Sequence, residues 1–230
     1  MINRHACRLL PLLALLLAVL SVPLTGCTPA TVTTPSSSAT ATEPVATAGW
    51  MRRVLPPEGV VLDVPLLRQS DPRWESVPLG SSGATIGSEG CALASFAMVA
   101  SYYGTESTPA QVVERLGEYA YPLEWVAAEP RYGFHVLRKD SIRFRDSRLH
   151  DPVWVRHTIE DSLAEGYPVI VGILQTSTGV PHFIVAYGLE PDGGGGFTIL
   201  VRDPSTNSDY DRWEDVPSGW EITRLVVYQA

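Results

Sequence analysis

The chain has 230 residues and a net charge of −8 at pH 7. This negative charge argues against nucleic acid as a partner, because binding to phosphates requires an excess of Lys and Arg. The sequence contains no phosphate-binding G-x-x-x-x-G-K-[ST] loop, paired C-x-x-C or H-E-x-x-H motif, and we therefore predict no nucleotide, metal ion or other cofactor.

The N-terminal residues 1–26 have the layout of a secretory signal peptide, since Arg4 and Arg8 precede a leucine-rich stretch that ends in small residues. Residues 24–27 (LTGC) resemble the lipobox of bacterial lipoproteins, which implies cleavage before Cys27 and acylation of that cysteine. More than one acyl chain gives stable anchoring. We expect a lipoprotein on the extracytoplasmic face of a bacterial cell membrane; the alternatives are an uncleaved signal anchor and an ordinary secreted protein.

The next segment differs in composition from the rest of the chain. Residues 27–55 are rich in Thr, Pro, Ser and Ala and show no apolar periodicity. Such a composition buries too little apolar surface to offset the entropy lost on ordering. We interpret residues 27–55 as a disordered tether and residues 56–230 as one domain of ordinary size.

From residue 61 onward the sequence predicts helices first and strands afterwards, which indicates an α+β fold. The predicted helices are 91–103, 109–116, 123–128 and 151–166. The predicted strands are 61–67, 167–174, 182–189, 197–202 and 224–228. The stretch 70–90 is rich in Gly, Pro and Ser and is predicted to be a loop, with Trp74 as a candidate wall of a cleft.

Cys91 is one of three cysteines in the chain. Cys7 lies in the predicted leader and Cys27 in the lipobox, so Cys91 is left unpaired in a compartment where paired cysteines form disulfides. It is either a small buried hydrophobe or a reactive thiol. Its predicted place at the first turn of a helix favours the thiolate, because the N–H groups there have no intrahelical acceptor.

Strands 182–189 and 197–202 are joined by a loop of turn formers, so we expect them to pair as an antiparallel hairpin. A register centred on this loop places His182 opposite Asp203, about 5 Å apart at the backbone. An imidazole oriented by a carboxylate is what a thiol nucleophile such as Cys91 requires. The other histidines of the domain are predicted to be spectators: His135, His150 and His157.

The segments DVPLLRQSDPRW, TIGSEGCALASFAMVASYYG, PHFIVAYG and ILVRDP resemble the peptidase C-39-like domain. This is a bacterial papain-like group related to the enzymes that cleave bacteriocin leaders after a double glycine. The resemblance covers residues 61–204 and implies a papain-like fold, with a buried nucleophile helix packed on an antiparallel sheet. It implies these roles: Cys91 as nucleophile, His182 as base, Asp203 as orienting residue, and Gln69 as the side-chain donor of the oxyanion hole beside the Cys91 backbone N–H.

The expected activity is therefore that of a membrane-anchored cysteine peptidase that acts on a peptide or protein substrate, and we expect a monomer. In the leader peptidases the glutamine lies a few residues before the cysteine, whereas the whole stretch 70–90 separates Gln69 from Cys91. A cell-wall peptide hydrolase and an acyltransferase are alternatives, because the three residues do not by themselves set the substrate or acceptor. A catalytically inactive binding module on the same fold is another.

Overall fold

The computed structural model describes residues 54–105, 107–141, 147–205 and 211–230. All of these belong to one compact unit, Ala48–Ala230. The predicted leader, Cys27 and residues 27–53 of the predicted tether lie outside the described residues. In the described ranges, no helix combines the length and apolar character needed to cross a membrane.

The order of the elements confirms the α+β prediction. The described α-helices are α1 (Ile86–Glu89), α2 (Cys91–Tyr102), α3 (Pro109–Leu116), α4 (Glu129–Tyr132) and α5 (Pro152–Ala164). The described strands are β1 (Val60–Val61), β2 (His135–Ser141), β3 (Val169–Gln175), β4 (Pro181–Pro191), β5 (Phe197–Arg202) and β6 (Trp220–Gln229). Short 3₁₀ helices lie at Gly117–Ala120, Trp125–Ala128, Ser147–His150 and Trp213–Asp215.

The strands form one antiparallel sheet in the order β1-β4-β3-β6-β2, with β5 also paired to β4. Helix α2 packs against β4 and buries residues 93–100 without a break. A helix buried on most sides must be apolar on nearly every face, which is the pattern of the sequence. The expected packing of a buried helix on an antiparallel sheet is thus confirmed, and Cys91 is the first residue of that helix, α2.

Two predicted elements differ in extent. The strand predicted over 61–67 ends after Val61, because the Val64 N–H bonds back to the Leu62 carbonyl at 2.8 Å and Pro65 has no N–H to donate. The loop predicted over 70–90 contains the short helix α1. The Thr85 side chain caps α1 by accepting a hydrogen bond from the Ser88 N–H.

Strand β2 is an element that the sequence pattern does not predict. Its residues HVLRKDS are mostly polar, and it pairs with β6 at one end of the strand order. An edge strand tolerates charged side chains that a central strand does not.

The helix predicted over 123–128 is a 3₁₀ turn, Trp125–Ala128, that continues directly into α4.

The β4–β5 hairpin forms as predicted, but its register differs. Val185 stands opposite Arg202, and the same register places Ile184, not His182, opposite Asp203. The predicted direct pairing is therefore wrong. The physical reason is the loop: the Asp192 carboxylate accepts the N–H groups of Gly194 at 2.7 Å and Gly196 at 2.9 Å. These bonds centre the turn further along the chain, and a bulge between Ala186 and Gly188 shifts the pairing again.

Candidate active site

Cys91 owes its position to the corner between α1 and α2. The corner residue is Gly90, where a Cβ atom would lie 2.4 Å from the Ile86 carbonyl oxygen and 2.8 Å from Ile86 Cα. A side chain at Gly90 would therefore push the two helices apart. The close corner makes Cys91 the first residue of α2, half-buried, among N–H groups that have no intrahelical acceptor.

His182 and Asp203 are joined by their side chains although their backbones are not paired. His182 Nε2 lies 2.8 Å from Asp203 Oδ1. The same carboxylate oxygen accepts the Ser205 N–H at 2.7 Å. Only 3% of Asp203 is exposed, so the carboxylate is shielded from water, and these hydrogen bonds hold it in place.

The ring of His182 lies between the carboxylate and the thiol. Burial alone would lower the pKa of His182, but the hydrogen bonds and charges of Asp203 and Cys91 outweigh burial and raise it from 6.5 to about 9. Because Nε2 faces Asp203, Nδ1 is the nitrogen left for the Cys91 sulfur. At neutral pH the ring is therefore an imidazolium that is hydrogen-bonded to Asp203.

Gln69 reaches the same place from a distant part of the sequence. Its backbone N–H donates to the Pro204 carbonyl at 2.9 Å, next to Asp203. Its side-chain Nε2 donates to the Gly87 carbonyl of α1 at 2.9 Å. The stretch 70–90 thus begins and ends at the site. Its length does not keep Gln69 away from Cys91. A primary amide carries two N–H groups, so the bond to Gly87 leaves one for a ligand.

Arg68 supports this assembly and has no recognisable signal in the sequence beyond its place before Gln69. Its Nη1 donates to the Asp203 carbonyl at 3.0 Å and also to the Ser205 carbonyl. The Arg68 carbonyl in turn accepts the Trp74 indole N–H at 2.8 Å. Trp74 is only 2% exposed and does not line the cleft, so the prediction that it forms a wall of the cleft is wrong. Its indole N–H instead holds the backbone at Arg68.

A cleft of about 540 Å³ opens in front of these residues. Gln69, Cys91 and His182 line it, while Asp203 lies behind the histidine. The other lining residues are Ser88, Glu89, Ala92, Leu93, Ala120, Tyr121, Pro122, Leu123, Trp125, Val180, Pro181, Phe183 and Arg224. The cleft lining includes none of the histidines predicted to be spectators: His135, His150 and His157. Among the described residues, no cluster of three or more His, Cys, Asp or Glu side chains is placed to hold a metal ion.

Comparison with known proteins gives a family-level match. Residues 61–228 match the model of the Peptidase_C39 like family. These residues include Gln69, Cys91, His182 and Asp203 and extend from the end of β1 almost to the end of β6. No curated protein matches the chain at a significant level.

Proposed function

Because the chain belongs to the Peptidase_C39 like family, we propose that it is a papain-like cysteine peptidase that hydrolyses peptide bonds with Cys91, His182 and Asp203. Membership of the family implies a peptidase domain and a peptide substrate. The observation that supports these catalytic roles is the position of the His182 ring, between a buried carboxylate and a half-buried thiol at a helix N-terminus. That arrangement stabilises a thiolate–imidazolium pair.

In the proposed mechanism the Cys91 thiolate attacks the carbonyl carbon of the scissile bond. The carbonyl oxygen becomes an oxyanion, which accepts hydrogen bonds from the Cys91 backbone N–H and the Gln69 side-chain amide. The carbon–nitrogen bond then breaks as imidazolium His182 gives its proton to the leaving amine, and a thioester remains. A water molecule next gives one proton to neutral His182 and attacks the thioester, and the carbon–sulfur bond breaks to release the carboxylic acid product and restore the ion pair. The product then loses its proton to solvent.

Asp203 acts on this cycle through His182 and does not touch the substrate. Its bond to Nε2 orients the ring so that Nδ1 faces the sulfur, and its charge stabilises the imidazolium. The pKa of about 9 for His182 means that the proton needed by the leaving amine is present at neutral pH. Arg68 holds the backbone of Asp203, and it is a positioning residue in this scheme.

The proposal is tested by labelling the purified protein with a peptide that carries a thiol-directed electrophile, such as a chloromethyl ketone. We expect one adduct, on Cys91, that forms with the native protein and is lost in Cys91→Ala. The fold should survive that substitution, because little side-chain volume is removed. A thermal melt of the variant provides the control. Labelling that requires denaturation, or native protein that hydrolyses no peptide in a library, would favour a binding module.

We further propose that the protein is a lipoprotein on the extracytoplasmic face of the membrane, on the basis of the LTGC sequence at residues 24–27. Replacement of Cys27 by Ser removes the sulfur that would carry the diacylglycerol. We expect the variant to leave the membrane fraction, or to remain there as an uncleaved precursor. Labelled lipid should be incorporated by the wild type and not by Cys27→Ser. An unchanged cleavage site and unchanged membrane retention in the variant would contradict the lipobox assignment.

A further inference from the structure

Glu89 is the acid among the described residues that line the cleft. It is the last residue of α1, it is exposed, and it lies two positions before Cys91. The helix caps do not use its carboxylate. The Thr85 side chain caps α1, and the cap of α2 is Gly90, which receives no capping hydrogen bond from a described side chain. Glu89 therefore stands beside the nucleophile without a capping role in either helix.

A residue from a distant part of the chain orients the Glu89 carboxylate. The Tyr121 hydroxyl donates a hydrogen bond to Glu89 Oε2. Tyr121 follows the 3₁₀ helix Gly117–Ala120 and also lines the cleft. This hydrogen bond is the main reason that the pKa of Tyr121 is raised, and the charge of Cys91 adds to the increase. The phenol thus stays protonated as a donor, and it lies near enough to Cys91 for the two groups to interact electrostatically.

The bond from Tyr121 leaves most of the Glu89 carboxylate available to a ligand. An ionised carboxylate has about four lone-pair sites, and the Tyr121 hydroxyl uses one of them. Because the hydroxyl holds the carboxylate in one direction, less side-chain entropy is lost when a cation binds than with a freely rotating glutamate. The Tyr121 ring beside it supplies an apolar surface for an aliphatic stem and a negative face for a cation.

The charges that line the cleft are divided between the elements of the fold. The cationic residues belong to the sheet, with His182 on β4 and Arg224 on β6. The acid, Glu89, belongs to α1. A peptide bound at Cys91 therefore meets a negative group from the helices and positive groups from the sheet. Such a division of charge favours one orientation and one charge pattern of the substrate.

We propose, on the basis of the proposed peptidase function, that Glu89 determines specificity by binding a cationic group of the substrate close to the scissile bond, and that Tyr121 orients it. An ammonium or guanidinium ion that donates to a carboxylate forms a charge-assisted hydrogen bond, which is stronger than a bond between neutral groups. A lysine or arginine side chain supplies such a cation on an aliphatic stem. The free N-terminus of a short peptide supplies a cation of the same kind.

The test compares peptides that differ by one charge. Internally quenched peptides carry Lys, Gln or Glu in turn at each position close to the cleaved bond. All have acetylated N-termini and amidated C-termini, and a parallel Gln set has free N-termini. The value of kcat/KM for the wild type is expected to favour Lys over Gln roughly 5- to 30-fold at one position, between the effects of an exposed ion pair and a charge-assisted hydrogen bond. Added salt should weaken this preference. Preference for the free N-terminus in place of Lys would identify the other source of the same cation.

Three variants assign the preference to Glu89. The readout is the ratio of kcat/KM for Lys and Gln peptides within each variant, so that a general change in activity cancels. Glu89→Gln keeps an acceptor for Tyr121 and should abolish the preference, and Glu89→Lys should favour Glu peptides. Tyr121→Phe keeps the ring without the orienting hydroxyl and should retain only part of the preference. Glu124→Gln is the matched control, because Glu124 is an exposed acid three positions from Tyr121 that does not line the cleft. Thermal melts establish that each variant folds.

Binding of the same peptides to Cys91→Ala separates this inference from the proposed function. Glu89-dependent binding of the cationic peptides without turnover by the wild type supports the cation site and contradicts the peptidase. Turnover without any preference for a cation, or with a preference that survives in Glu89→Gln or is lost equally in Glu124→Gln, overturns the cation site alone. Absence of both turnover and Glu89-dependent binding overturns both proposals. An unchanged preference in Tyr121→Phe overturns the orienting role of the hydroxyl.

Discussion

Replacement of His182 by Ala is expected to lower peptide hydrolysis by about 10²- to 10⁴-fold, the range for loss of a general acid–base group. The same change should remove the cation that stabilises the Cys91 thiolate. The measurement is the rate of iodoacetamide alkylation of Cys91 as a function of pH. We expect the wild type to react many times faster than His182→Ala at neutral pH, because the variant lacks the cation beside the sulfur.

The pKa of His182 also sets the alkaline side of the activity profile. Asp203 and Cys91 raise this pKa to about 9, and the leaving amine requires the protonated ring. The value of kcat/KM should therefore be maintained through neutral pH and fall as pH rises through about 9. His157 lies outside the cleft, and His157→Ala is the matched control that should leave both profiles unchanged. Slow alkylation of the wild type that does not depend on His182 would refute the peptidase mechanism and favour a binding module.

The sequence predicts the pairing of His182 with Asp203 in spite of an error in the hairpin register. The two residues lie at the same open end of two adjacent strands, and their side chains close the distance to 2.8 Å after a shift of two positions. Turn geometry decides register, and the bonds from Asp192 to the glycines of the loop cannot be inferred from turn-forming composition alone. A site of two side chains at strand ends tolerates this error, whereas a site that depends on direct cross-strand pairing would not.

Local sequence patterns do not predict the residues that line the cleft. Trp125, Phe183 and Arg224 come from three segments that are distant in the chain, and each has an ordinary local explanation as a helix or strand residue. The pairing of β3 with β4 and with β6 brings Phe183 and Arg224 together across Gly172. The isolated glycine in β3 is a local signal of close approach, but the approaching groups are fixed only by the order of strands in the sheet.

Gln69 presents the opposite case, because the resemblance implies its role while its distance from Cys91 along the chain argues against it. The structure brings Gln69 to the cleft with Cys91 and connects it to α1 through Gly87. That connection gives Gln69 a structural function whether or not it contacts a substrate. An experiment on Gln69 must therefore separate the loss of an oxyanion donor from a displacement of the nucleophile.

Two reactions of the same thiol provide this separation. Hydrolysis passes through a tetrahedral oxyanion, whereas alkylation by iodoacetamide displaces iodide from a saturated carbon and forms no oxyanion. We expect Gln69→Ala to lower hydrolysis by about 10²- to 10³-fold, the usual cost of one oxyanion-hole donor, and to leave the pH profile of alkylation unchanged. His182→Ala, in contrast, should impair both reactions.

The control for Gln69→Ala is Gln111→Ala, which removes a glutamine whose side chain accepts the Thr108 N–H at 2.8 Å on α3, outside the cleft. Gln111→Ala should slightly destabilise α3 and leave the rate of peptide hydrolysis unchanged. If Gln69→Ala slows hydrolysis and alkylation in parallel, its bond to Gly87 positions Cys91 and the donor role is wrong. If hydrolysis is unaffected, the Cys91 backbone N–H stabilises the oxyanion without help from Gln69. Selective loss of hydrolysis is the result that assigns the side-chain amide to the oxyanion, because only the reaction that develops negative charge on oxygen depends on such a donor.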